Sequence, residues 1–149
     1  MKNRTLFFLV LLLAGITGFY SCEKDKDTTN VRELIVNNIW AYDTLEVSDL
    51  TNTGLLIAAA FTDLVYEDSE YDFSDDGTYT LTSDLIEEDG TWELVNNKTL
   101  LMDKGTDDET ELEILQIDNT TSKLKMHVEG DFFGTPVSGD VILVFKAKQ

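Results

Sequence analysis

A chain of 149 residues is the size of one domain, and at 42% hydrophobic and 10% aromatic it is too apolar to stay disordered. With 11 Lys and Arg against 29 Asp and Glu, a formal charge of −18, it lacks the basic clusters that bind a phosphate backbone, which excludes nucleic acid. One Cys rules out a disulfide framework, and one His beside one Cys leaves no usual set of zinc ligands, so no metal or other cofactor is expected.

The chain opens with Lys2 and Arg4, followed by an apolar run over residues 6–16. These are the n-region and h-region of a secretory signal, and the run is shorter than the ~20 residues a membrane-spanning helix needs. It ends in Gly18-Phe19-Tyr20-Ser21-Cys22. This resembles a bacterial lipoprotein signal, in which a small residue precedes a Cys that is lipidated and becomes the mature N-terminus. Ser21 fills the small position, while Phe19 stands where such signals usually carry an aliphatic residue. Residues 1–21 are therefore expected to be removed and Cys22 to be acylated. Several acyl chains at ~0.8 kcal/mol per buried CH₂ would anchor the protein stably. Residues 23–30 hold no apolar side chain and read as a solvated tether, similar to the export tag of surface lipoproteins in some Gram-negative bacteria. The expected location is the outer membrane, on its surface or its periplasmic side. Loss of Lys2 and Arg4 leaves 9 basic against 29 acidic side chains, so an anionic leaflet would repel the body and hold it off on its tether.

Residues 31–149 form the predicted domain. Residues 31–35 read as a short helical lead-in with Asn30 as N-cap. Residues 39–47 read as the first strand, with Trp40 and Tyr42 on one face. Residues 53–65 break the strand pattern with an alanine-rich apolar block. Leu56, Ala60, Phe61 and Leu64 fall on one helical face, and Leu55, Ile57 and Ala58 make the other face apolar too. The predicted helix should thus be largely covered. Short alternating runs follow at 70–74, 78–82, 91–95, 99–102, 111–117, 124–129 and 141–145, the last apolar on both faces. Turns are predicted at Asp75-Asp76-Gly77, Glu88-Asp89-Gly90 and Asn96-Asn97, in a polar loop over 103–108, at 118–122 and at 132–136. About eight strands with short connections point to an antiparallel sandwich or barrel, and eight up-and-down strands can close into a barrel without exposed edges.

Trp40 in the first strand, the hairpin Tyr71-Asp72-Phe73-Ser74-Asp75-Asp76-Gly77-Thr78-Tyr79, the run Gly90-Thr91-Trp92 and the closing Val144-Phe145-Lys146 resemble the lipocalin-like domains of Gram-negative bacterial lipoproteins. The resemblance covers residues 35–148. It implies an all-β, eight-stranded antiparallel up-and-down barrel, with the inserted helix at 53–65 closing one mouth. It supplies no function beyond the small-ligand binding inferred from such a barrel.

Chemistry is sparse. His127, between Met126 and Val128 in an alternating run, is expected to face solvent with Lys125 and Glu129. Asp72-x-Ser74-x-Asp76-Gly77 imitates the opening of a calcium loop. Ser83, however, stands where a bidentate Glu is required, and the segment reads as a hairpin. No acid–base pair, nucleophile or phosphate loop can be assembled, so no catalytic residue is nominated and an enzyme is not expected. The one constellation is apolar: Trp40, Tyr42, Phe73, Tyr79, Trp92, Met102, Met126 and Phe145. These eight either line a cavity for a small apolar or amphipathic ligand or fill the barrel as a packed core. In the first case the protein is a lipid-anchored binding module. In the second it is a structural or interaction protein that meets another envelope protein or a glycan, with Tyr66, Tyr71, Phe132 and Phe133 as its exposed aromatic candidates.

Overall fold

The computed structural model describes residues 30–132 and 134–148; the leader, Cys22, the tether before Asn30, and Phe133 lie outside the described residues. The chain forms α1 (Val31–Val36), β1 (Ile39–Val47), α2 (Thr53–Tyr66), β2 (Glu70–Phe73) and β3 (Thr78–Thr82). It continues through β4 (Glu87–Val95), β5 (Thr99–Met102), β6 (Thr110–Ile117), β7 (Thr121–Phe132) and β8 (Thr135–Lys148). Each strand pairs antiparallel with the next, and β8 returns to β1 from Ile39–Lys148 to Val47–Val141, closing the barrel. Closure satisfies the edge N–H and C=O groups that an open sheet would expose.

Local chemistry fixes the ends of the elements. Asn30 Oδ1 accepts the Arg32 N–H at 3.2 Å and caps α1, as expected. Gly77 (φ 88°) turns the β2–β3 hairpin, with Asp76 Oδ1 accepting both the N–H (3.0 Å) and the hydroxyl (2.6 Å) of Thr78. Asn96 and Asn97 (φ 53° and 56°) make the left-handed pair of a type I′ turn between β4 and β5.

Three expectations are corrected. Glu88-Asp89-Gly90 is not a turn but lies within β4. The turn falls at 83–86, where Ser83 Oγ accepts the N–H groups of Leu85 (3.2 Å) and Ile86 (3.0 Å). Gly90 serves packing instead: it sits opposite Tyr79, and a Cβ there would clash with the Tyr79 ring and Asp103 Oδ1. The loop predicted at 132–136 is shorter than expected, because β7 and β8 pair as far as Phe132–Thr135. Pro136 is admitted there because β1 has already ended, leaving β8 an edge on that side.

The third correction is the face of α2. Leu55 (0% exposed), Ala59 and Gly54 are buried, whereas Leu56, Ile57, Phe61 and Leu64 are 38–65% exposed. A helix apolar all round cannot be oriented by hydrophobicity alone; close fit and polar bonds decide. Any Cβ on Gly54 would lie 2.9 Å from Pro136 O, so its absence lets α2 sit down on β8. Leu55 fills the space above Gly139, in a cluster with Val137 and Val141. Asp63, on the same side, accepts from the Tyr42 hydroxyl and from Leu45 N–H.

The two helices take opposite ends of the barrel, since α1 precedes β1 and α2 follows it. At the α1 end, Leu34 and Ile35 are buried, and the Trp40 indole donates to Ile35 O at 3.2 Å. Arg32 bonds Asp75 Oδ1 at 2.9 Å and lies 4.6 Å above the Trp92 ring. The doubly apolar β8 is also resolved. Leu143 and Phe145 face inward, and outward-facing Val144 is still only 4% exposed. Its neighbour Lys123 reaches across β8 to Glu46 at 2.7 Å, and the lysine stem covers apolar surface while its ammonium stays in water.

Candidate ligand cavity

The barrel is not filled. It encloses a cavity of about 510 Å³, within the range of ligand pockets. Ile35 of α1 forms part of its floor, and inward residues of all eight strands form its walls, β4 contributing Glu88. It opens at the α2 end, between the start of β4, the β5–β6 loop and the C-terminal half of α2. Exposed Glu88, Asp107, Asp108 and Glu109 border it there, with Thr62 and Tyr66.

Seven of the eight aromatic and Met candidates stand on this wall: Trp40, Tyr42, Phe73, Tyr79, Met102, Met126 and Phe145. Trp92 does not. It lies beneath the floor, 5% exposed, its indole donating to Ser74 O at 3.0 Å and its ring edge-on to Phe73 at 5.5 Å. Inward-facing residues at that end of β4 are sealed by α1, which is why Trp92 packs rather than lines.

Tyr66 and Tyr71, expected on the surface, turn inward and line the cavity. Tyr71 shares its face of β2 with Phe73 and stands opposite Trp40 and Leu81, so the period-two pattern carried the signal. The side chains of Phe132 and Phe133 lie outside what is described. Glu88 was also hidden by the misplaced turn: its partner across the ladder is the inward-facing Leu81, which puts Glu88 on the inner face as well.

The rings form a continuous aromatic wall. Tyr71 stacks on Phe73 (5.9 Å, 11°) and meets Phe145 edge-on (5.6 Å, 89°); Phe145 contacts Tyr42 (5.9 Å), which contacts Tyr66 (6.2 Å). Two hydroxyls are fixed by carboxylates. Tyr42 donates to Asp63 Oδ1, and Tyr79 donates to Asp103 Oδ2 at 2.7 Å while Asp103 Oδ1 accepts Thr91 N–H at 2.8 Å. The hydroxyls of Tyr66 and Tyr71 have no hydrogen-bond partner among the described residues. Burial raises the pKa of all four phenols above the ordinary value, and the Asp63 and Asp103 carboxylates add to the rise at Tyr42 and Tyr79. They are therefore neutral donors at physiological pH, unsuited to act as bases.

His127 faces solvent with Lys125 and Glu129, its Nδ1 2.8 Å from Asp140 Oδ1, away from the cavity. Residues 72–77 form a hairpin in which Asp76 caps Thr78, not a calcium loop. Compared with known proteins, the chain matches no family model and no curated protein.

Proposed function

We propose that the protein is a lipid-anchored lipoprotein of the outer membrane, held through Cys22, whose barrel takes up a small apolar or amphipathic molecule. The observation that carries the binding half is the 510 Å³ cavity walled by aromatic rings, with the Tyr66 and Tyr71 hydroxyls left for an occupant to engage. An apolar body against these rings gains burial energy, and the few polar groups among them set its orientation. The reading assigns no catalysis. The anchoring half rests on the apolar run at 6–16, the small Ser21 and the single Cys22.

The test is the intact mass of protein purified from its own membranes, measured denatured and native. The denatured mass reports cleavage before Cys22 and acylation on it. Extra mass in the native spectrum alone reports a captured molecule; equal masses with an unmodified Cys22 refute the proposal. A second reading draws on the exposed side of α2, where Leu56, Ile57 and Leu64 form an apolar face for another envelope protein or a glycan. It needs no cavity, and so leaves the aromatic wall without a role.

A further inference from the structure

We infer that the cavity selects an organic cation: an apolar body seated among the rings, with a protonated amino group at the mouth. This rests on the binding reading above and names the chemistry of the occupant. Among the described residues the wall carries five carboxylate residues and no Lys, Arg or His. Lys104, in the loop at the mouth, is turned away to Glu93 at 2.7 Å. Glu88 occupies an inward position of β4 opposite Leu81, where an apolar residue would continue the wall. Glu88, Tyr66, Tyr71 and Tyr79 line the same cavity, so carboxylate and phenols surround one space, and Glu88 adds to the burial that raises the pKa of the three phenols.

The polar groups divide in a way that suits an ammonium donor. Asp63 and Asp103 already accept from tyrosines and backbone, whereas the side-chain carboxylates of Glu88, Asp107 and Asp108 accept no hydrogen bond from the described residues. The free phenol oxygens of Tyr66 and Tyr71 can accept from an N–H as well. Electron-rich faces of Tyr42, Tyr66, Tyr71 and Tyr79 attract a cation below the mouth, and the low dielectric of the cavity strengthens both effects. A carboxylate ligand of the same shape would meet repulsion from every charged group on the wall.

Three probes share one body and differ in charge: 2-naphthylmethylammonium, 2-naphthylmethanol and 2-naphthoate. Their binding to the full chain is measured by titration calorimetry at physiological ionic strength. The amine is expected to bind about tenfold tighter than the alcohol, and the acid weakest of the three. Because the whole protein is acidic, two variants separate the wall from the general field. Glu88→Gln/Asp107→Asn/Asp108→Asn removes three exposed wall carboxylates and should bring amine and alcohol to within about twofold. Asp89→Asn/Glu111→Gln/Glu129→Gln removes three charges off the wall and should leave the preference intact. Equal binding of amine and alcohol by the unaltered chain, tighter binding of the acid, or a preference that survives in the wall variant overturns the inference and leaves the cavity reading standing. If none of the probes binds, the cavity reading falls and the inference falls with it.

Discussion

Leu55→Ala tests how α2 is held on the barrel. The Leu55 side chain is wholly buried, against Gly139 and with Val137 and Val141 in its cluster. Its transfer from water to this site is worth about 1.5–3 kcal/mol, and the space left behind adds to the loss, giving about 2–5 kcal/mol for such truncations. Here the hole cannot collapse well. Gly139 has no side chain to move into it, and Val137 and Val141 sit on a strand whose backbone is fixed by pairing with β7. We therefore expect about 3–4 kcal/mol. Urea unfolding followed by tryptophan fluorescence measures it as a lower midpoint with an unchanged slope. Leu56→Ala is the comparison: one residue on, 38% exposed, it should stay within about 0.5 kcal/mol. A loss below about 1 kcal/mol at Leu55, or a larger loss at Leu56 than at Leu55, would refute the assigned face of the helix.

Trp92→Ala should destabilise by about 3–5 kcal/mol, because it empties the space between Phe73 and Arg32 at the floor; a near-neutral midpoint shift would contradict its burial. Cys22→Ala should move the protein from the membrane to the soluble fraction, and persistence in the membrane fraction would sink the lipid-anchor proposal. Alkaline titration of phenolate absorbance should find Tyr42, Tyr66, Tyr71 and Tyr79 resisting ionisation above the ordinary tyrosine range. Their folded pKa is raised, so the stability tied to their protons is complete below about pH 10, where unfolded tyrosines begin to ionise. It drains away as pH rises from there through the folded values, and the phenols should ionise together with unfolding. Ionisation of all the tyrosines near the ordinary value with the fold intact would contradict their burial.

Much of the barrel was legible in the sequence, because a period-two pattern states which side chains share a face. Trp40 with Tyr42, Phe73, Tyr79, Met126 and Phe145 could be placed on one inner surface from alternation alone. What alternation does not encode is depth along the barrel axis. Trp92 is inward like the others but falls below the floor, since α1 covers that end of β4. Turn chemistry misled at Gly90, because a glycine that admits a tyrosine ring looks like a glycine that admits a positive φ. That error hid Glu88 as a wall residue. In α2, an all-round apolar sequence gave no orientation, and Gly54, Gly139 and Asp63 decided it through contacts distant in sequence.

The placement of the two helices gives the molecule a direction. Chain preceding Asn30 joins α1 at the floor, whereas the cavity opens at the far end of β1 beside α2. An attachment made through those earlier residues would reach the barrel at its base, at the end away from the mouth. At that base Arg32 pairs with Asp75 and the Trp40 indole donates to Ile35 O, at the other end of the barrel from the acidic rim. A barrel held at that end would keep the mouth of its cavity open to the surrounding water.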